Sequence, residues 1–242
     1  MAGHSKWKNI QNRKGAQDAK RGKVFQKMSK EIFVAAKTGG PDVDSNAALR
    51  LAIEKAKSVN VPNDVIKRAV DKASGSGADE NYEEVIYEGY GPGGVAVLVY
   101  CLTENRNRTA PNVRVGFSKN GGNLGEAGSV GYLFVRKGRL FIERTNSTDE
   151  DAVMMAALEA GADDIDSTED GFEIITQPSD FLTVKETLES EGINFISAEI
   201  EMIPSMYTAL SGEDEEQFEK MLEVLEDNDD VQDVYHNAEL KD

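Results

Sequence analysis

The hydrophobic period of this chain changes at Tyr82, and that change limits what the two parts can build. Ahead of it, apolar residues recur at helical spacing. Phe25, Met28, Ile32 and Ala35 share one stripe of a helix predicted over Ala16 to Lys37, which Gly39-Gly40-Pro41 stops. A second helix, capped by Asp44 or Ser45, carries Leu49, Ile53 and Ala56 and ends before Pro62. A third, capped by Asn63, turns Val65 or Ile66, Ala69 and Ala73 inward, with Gly75 past its end. Three short helices make a small bundle, and Asn60-Val61-Pro62-Asn63 is tight enough for a helix-turn-helix. Ser74-Gly75-Ser76-Gly77 then reads as a hinge.

Beyond the hinge the period is that of strands alternating with helices. Glu84 to Glu88 and Val95 to Leu102 read as strands around a glycine loop. A helix capped by Thr109, with Pro111 in its first turn, runs to Lys119, and strands follow at Gly131 to Arg136 and Arg139 to Arg144. From Arg139 the order is strand, helix (Thr148 to Ala160), strands (Asp163 to Asp166, Phe172 to Thr176), helix (Ser179 to Glu191), strand (Phe195 to Ile203). That is one ferredoxin-like unit. The flanks supply a second copy when joined: strand 95–102, helix 109–119, a short strand near Asn123-Leu124, strand 131–136, helix Asp214 to Glu226 and strand Val231 to Tyr235. The expected fold is therefore α+β and multidomain. A basic arm and three-helix domain (1–77) precede a discontinuous ferredoxin-like domain (78–137 and 205–242), into which a second ferredoxin-like domain (138–204) is inserted.

Charge separates the two ends. The totals are 27 Lys+Arg against 44 Asp+Glu, but residues 1–37 hold ten Lys/Arg and two acids, a net of +8, while residues 145–242 hold three and 29, a net of −26. A polyanion would meet the first end and be repelled by the second, because steering acts through local patches. The acidic half suits a basic protein partner, such as a ribosomal protein or a polymerase subunit. Met1 to Gly15, basic and without a period, reads as a flexible arm whose only large apolar residues are Trp7 and Ile10. It has no apolar core of a secretory signal, and the longest apolar run, Val95 to Leu102, is far short of the roughly 20 residues of a spanning helix. The single cysteine, Cys101, cannot form an internal disulfide, which fits a reducing cytoplasm.

The catalytic motifs are weak. Gly89-Tyr90-Gly91-Pro92-Gly93-Gly94 satisfies the dinucleotide glycine pattern, but a strand follows where a helix N-terminus would have to hold pyrophosphate, so a hairpin loop is the better reading. Asp163-Asp164-Ile165-Asp166 and Asp227-Asn228-Asp229-Asp230 lack the alternate spacing and glycine of a calcium loop and read as solvated ends of elements. A metal-dependent phosphodiesterase using these carboxylates is the remote enzymatic rival, separable by a metal titration with a nuclease assay. His4 and His236 have no nucleophile held beside them. No catalytic residue, cofactor or metal ligand is expected, and the chain reads as a non-enzyme.

The positive signal lies in the cations. Lys6, Trp7, Lys8, Arg13, Lys14, Lys20, Arg21, Lys23 and Lys27 combine phosphate-neutralising groups with an indole able to stack on an unpaired base. Asn105-Arg106-Asn107-Arg108 precedes a helix N-terminus, where Arg106 and Arg108 form a second candidate contact, or else pair with acids such as Glu104. Lys67, Arg68 and Lys72 could enter a groove as a recognition helix, yet Asp64 with Arg68 and Lys67 with Asp71 are i,i+4 pairs, and a solvated face is favoured.

Several motifs carry a resemblance. Gly3-His4-Ser5-Lys6-Trp7-Lys8-Asn9-Ile10, Arg13-Lys14 and Ala16-Gln17-Asp18-Ala19-Lys20-Arg21-Gly22-Lys23 resemble the opening of the YebC/PmpR family. Tyr87-Glu88-Gly89-Tyr90-Gly91-Pro92, Thr103-Glu104-Asn105-Arg106-Asn107-Arg108-Thr109, Phe117-Ser118-Lys119-Asn120-Gly121-Gly122-Asn123-Leu124-Gly125 and Gly128-Ser129-Val130 are similar to its middle motifs. Two departures are Asn12, where a basic residue or histidine is usual, and Pro111. The resemblance implies one helical and two α/β domains and a cytoplasmic, non-enzymatic, DNA-binding transcriptional regulator. It equally implies a ribosome-associated translation factor that relieves stalling, as mitochondrial relatives are translational activators. DNA and ribosomal RNA are thus rival partners, which a basic arm serves alike because phosphate contacts carry no sequence information.

Overall fold

The structure is a computed structural model that describes residues 2–240, with the side chains of residues 2–5 and of Lys8 outside the description. The chain divides into two compact units, one comprising the chain up to Gly15 with Phe134–Ile203, the other Ala16–Leu133 with Pro204 to the C-terminus.

In the larger unit, helices α2 (Arg21–Gly39), α3 (Ala47–Ser58) and α4 (Asn63–Ser74) enclose Met28, Ile32, Phe33, Leu49, Ala56, Ile66 and Ala69. The cap of α3 is Asn46, one residue beyond the expected Asp44 or Ser45. Its side chain accepts the Leu49 N–H at 3.0 Å while its amide donates to the Ala35 and Gly40 carbonyls at 2.9 and 2.8 Å. A shorter Asp or Ser could not close both helix ends at once.

Strand β1 (Glu83–Tyr90) turns through the glycine loop into β2 (Ala96–Thr103), with positive φ at Gly93 and Gly94, as a hairpin reading of that motif requires. Helix α5 (Arg106–Ser118), β3 (Asn123–Leu124), β8 (Thr208–Leu210), α8 (Glu213–Asp227), β9 (Val231–His236) and β10 (Ala238–Leu240) complete the unit. β8 and β10 pair in parallel. Val97, Val99 and Cys101, alternate residues of β2, are buried with Val113 and Phe117 of α5 and Phe218, Met221 and Leu225 of α8.

Two expectations change here. The sheet order is β3-β1-β2-β9, a ferredoxin-like arrangement in which the position expected for strand 131–136 is held by β1, which precedes β2 in the chain. A short hairpin brings β1 beside β2 in full register, from Glu83 opposite Thr103 to Tyr90 opposite Ala96. Closing that loop costs less than recruiting a strand from beyond α5. Helix α5 also starts three residues early, capped by Asn105, whose side chain accepts the Arg108 N–H at 3.3 Å. Pro111 therefore lies in the second turn, not the first. It is exposed, as is Asn107, so the carbonyl its missing N–H leaves free meets water.

The smaller unit has strands β4 (Phe134–Glu143), β5 (Asp164–Ser167), β6 (Gly171–Thr176) and β7 (Ser197–Pro204) in the order β5-β6-β4-β7, with α6 (Glu150–Ala160) and α7 (Phe181–Ser190). This is the expected ferredoxin-like unit. The two strands expected at 131–136 and 139–144 are one, preceded by a 3-10 turn at Gly131–Leu133, and the strand runs through Gly138, which pairs with Thr176. The inserted segment consequently begins at Phe134 and not at 138.

The basic arm is helix α1 (Ala2–Ala19), not a flexible segment, and the helix expected from Ala16 is divided, α2 starting at Arg21. Trp7 accounts for the order. Its indole is only 7% exposed and meets Phe141 edge-on, ring centroids 5.5 Å apart. A Cβ at Gly171 would overlap both the indole and the Ile142 carbonyl, so glycine is what lets the ring seat there. Alternation puts Phe141 on the sheet face opposite Leu140 and Ile142, together with Arg139, while Glu173 lies opposite Phe141 in register.

Candidate nucleic-acid interface

On that sheet face Lys6 Nζ lies 3.3 Å from Glu173, Arg13 3.6 Å from Glu199, and Arg139 3.5 and 3.3 Å from Glu173 and Glu201. Burial raises the Glu201 carboxyl above the ordinary value, against the lowering effect of Arg139. Lys6 and Arg13 thus neutralise acids of their own unit. Trp7 is a correction: an indole buried on Phe141 and Gly171 has no open face for a base. The Lys8 side chain lies outside the described residues. Lys14 and Arg21 are exposed. Lys14 makes no ion pair among the described residues, and the Arg21 guanidinium lies 5.9 Å from the Phe25 ring.

Lys20, Lys23, Lys27 and Lys30 recur at helical spacing and meet the C-terminal end of α8. Lys20 Nζ is 3.4 Å from Asp227 and 3.9 Å from Glu223. Lys23 Nζ is 3.1 Å from the Asp227 carboxylate, 3.8 Å from Asp229, and donates to the Asp227 carbonyl at 2.7 Å. Lys27 donates to the Glu226 carbonyl, and Lys30 to the Asp229 and Leu102 carbonyls at 2.8 and 3.3 Å. A helix C-terminus offers unpaired carbonyls at the negative pole of its dipole, which lysines cap. Hydrogen bonds from Lys23 and Lys20 hold Asp227 below its ordinary value. Burial pushes the Lys27 and Lys30 ammonium groups down. Lys27 is the second correction, because at 9% exposure its ammonium is committed to the chain and out of reach of a phosphate. Lys30, missed in the sequence, was legible as the next position on the Lys20–Lys23–Lys27 stripe.

Arg108 grips Asp230 through two bonds, Nη2 to Oδ1 at 2.6 Å and Nε to Oδ2 at 3.1 Å, and the buried Thr109 hydroxyl donates to Oδ2 at 2.8 Å. Burial raises the Asp230 carboxyl, but these bonds outweigh it and leave it below the usual carboxylate range. Thr109, expected as a cap, instead ties α5 to the start of β9. Arg106 keeps 64% of its side chain exposed, 3.5 Å from Glu83. On α4 both expected pairs form, Arg68 to Asp64 at 3.0 Å and Lys67 to Asp71 at 3.8 Å. The acidic clusters likewise meet protein groups, Asp163 accepting from Gln177 at 2.6 Å and lying 3.4 Å from Lys137. No helix among the described residues is long and apolar enough to cross a membrane.

Comparison with known proteins finds the TACO1/YebC protein N-terminal domain over residues 5–76 and the TACO1/YebC second and third domain over residues 82–238. A probable transcriptional regulatory protein of Geobacillus sp. (strain WCH70) is 63% identical over 240 residues, covering 99% of this chain and 98% of the relative. One from Listeria monocytogenes is 60% identical over 241 residues, covering 99% and 100%. The crystal structure of a conserved hypothetical protein from Aquifex aeolicus matches with a TM-score of 0.80 at 44% identity, over 93% of each chain.

Proposed function

Since the chain belongs to the TACO1/YebC family, we propose that it is a non-enzymatic, cytoplasmic regulator of gene expression that acts by binding nucleic acid. The observation that carries this is the net charge of +8 over residues 1–37, much of it on α1 and α2, in a protein that is acidic as a whole. Lys14, Arg21 and Arg106 are the contacts with most freedom, and Lys6, Arg13, Lys20, Lys23 and Arg108 reach phosphate by exchanging a surface carboxylate for it. Such exchange is cheap, because exposed ion pairs are worth little and counterion release favours the polyanion. The names of the relatives point to transcription.

A ribosome-associated translation factor is the second reading. The same cations bind ribosomal RNA, and the acidic residues beyond 145 suit a basic ribosomal protein. A cell-free system separates the two. Given ready-made mRNA with proline runs, a translation factor raises full-length product, whereas a DNA-binding regulator has no template to act on. An effect confined to reactions supplied with a promoter-bearing DNA template would establish the transcriptional reading. No effect in either arm would refute both.

A further inference from the structure

Between α2 and α4 the larger unit has a groove of about 530 Å³, in the size range of small-ligand clefts. Lys23, Lys27 and Lys30 of α2 line one wall, Arg68 and Lys72 of α4 the other, with one acid, Asp229, at the rim. Aromatic rings interleave with these cations. Lys30 Nζ lies 5.4 Å from the Tyr82 ring and Lys72 Nζ 5.4 Å from that of Phe33, while Phe33 and Tyr82 meet edge-on at 5.9 Å. Tyr82 and Phe25 are half-buried, each keeping part of its ring open to the groove.

We propose that this groove binds a nucleotide unit of single-stranded nucleic acid, its phosphate held between Lys30 and the Arg68/Lys72 pair and its base against Tyr82. This rests on the nucleic-acid reading above and gives it a site and a strand state. Phosphate follows from the charge. Lys27 and Lys30 are held by carbonyl oxygens, which satisfy their N–H groups without cancelling their charge. Burial disfavours both ammonium groups, so an entering anion supplies the counter-charge they lack. The partners of Arg68 and Lys72, Asp64 at 3.0 Å and Glu80 at 2.9 Å, are exposed carboxylates that a phosphate can displace. A single strand follows from the rings, because a duplex turns its phosphates outward and its base faces inward. Only an unpaired nucleotide presents a phosphate and a π-face to the same cleft.

The test uses the full-length protein and fluorescence anisotropy with oligo-uridine, oligo-thymidine, a duplex of equal length, and uridine monophosphate, titrated with salt. Arg68→Gln with Lys72→Gln should lower the salt slope for the single strands by about 1.4, at about 0.7 per lost phosphate contact. Tyr82→Leu should weaken single-strand binding at least about fivefold at every salt concentration with the slope unchanged, and Tyr82→Phe should restore it. Uridine monophosphate should compete for the site, weakly, and the duplex should be indifferent to Tyr82. Oligo-uridine and oligo-thymidine tell RNA from DNA as the source of the strand. Arg68 and Lys72 have exposed side chains, so their double variant should unfold at the wild-type temperature. Binding by the wild type that none of these variants alters would overturn the groove and leave the nucleic-acid reading intact. A wild type that binds no nucleic acid overturns both, and equal losses for duplex and single strand on Tyr82→Leu overturn the single-strand assignment.

Discussion

Trp7 is the only tryptophan in the chain, so its emission reports a single site, the seat of α1 on the smaller unit. In Trp7→Ala the buried indole and its edge-on contact with Phe141 are lost together. Truncating a buried tryptophan costs about 3–5 kcal/mol, of which roughly 0.5–1.5 belongs to the aromatic pair. Because α1 is at the chain end it can leave its seat, and the loss is then capped at the free energy with which it docks. Taking about 3 kcal/mol, and about 4–8 °C per kcal/mol for a unit of this size, the unfolding midpoint of the smaller unit should fall by more than about 10 °C. Calorimetry should see this, with amide exchange in β4 and β6 speeding up while exchange in β2 is unchanged. In the wild type, indole emission should be blue-shifted and protected from acrylamide. Phe141→Ala should move both toward free tryptophan. Wild-type emission like that of tryptophan in water, together with an unchanged midpoint in Trp7→Ala, would refute the docked helix and return Trp7 to the solvent, where it could stack on a base.

Other outcomes follow from the same contacts. Asp230 is held below its ordinary carboxylate value, so the unfolded chain takes up its proton first as pH falls. The stability it contributes is present above about pH 4 and is lost as pH drops through the folded value. Denaturant titrations of Asp230→Ala should show a shallower acid slope below pH 4 than the wild type. Thr109→Val should cost about 1–2 kcal/mol in the same titrations by removing a buried donor to Asp230. Asn46→Ala removes a cap and two amide bonds and should destabilise the helical domain by about 2 kcal/mol, read from amide exchange in α3. Joining Leu133 to Pro204 through a two- or three-residue Gly/Ser linker should leave the larger unit folded by NMR, since the Ser205 N–H already donates to the Leu133 carbonyl at 2.8 Å. An unfolded product would overturn the division into units.

Whatever depended on local chemistry was determined by the sequence alone. The helical stripe of α2, the glycine stop after it, the hairpin of the glycine loop, the cap of α6 near Asp149 and the strand-helix order from β4 to β7 each follow from residues within a turn or two of one another. The i,i+4 pairs on α4 were legible for the same reason. Tertiary structure decided the matters that depend on partners far away in the chain. Glu199 and Glu201 alternate along β7 as a solvated face would, and only the sheet brings Glu173 and Phe141 beside them to make a seat for Lys6, Trp7 and Arg13. The basic arm, aperiodic by itself, is ordered by that seat. In the same way the third sheet position went to β1 rather than to residues 131–136, because hairpin closure is local and the alternative is not. Lys27 shows the limit most clearly. Nothing near it in the sequence distinguishes it from Lys23, yet α8, some 200 residues further on, covers one with a backbone carbonyl and leaves the other at the surface. Charge counts add over sequence, whereas burial is set by whatever packs against a side chain, and that is fixed only when the whole unit closes.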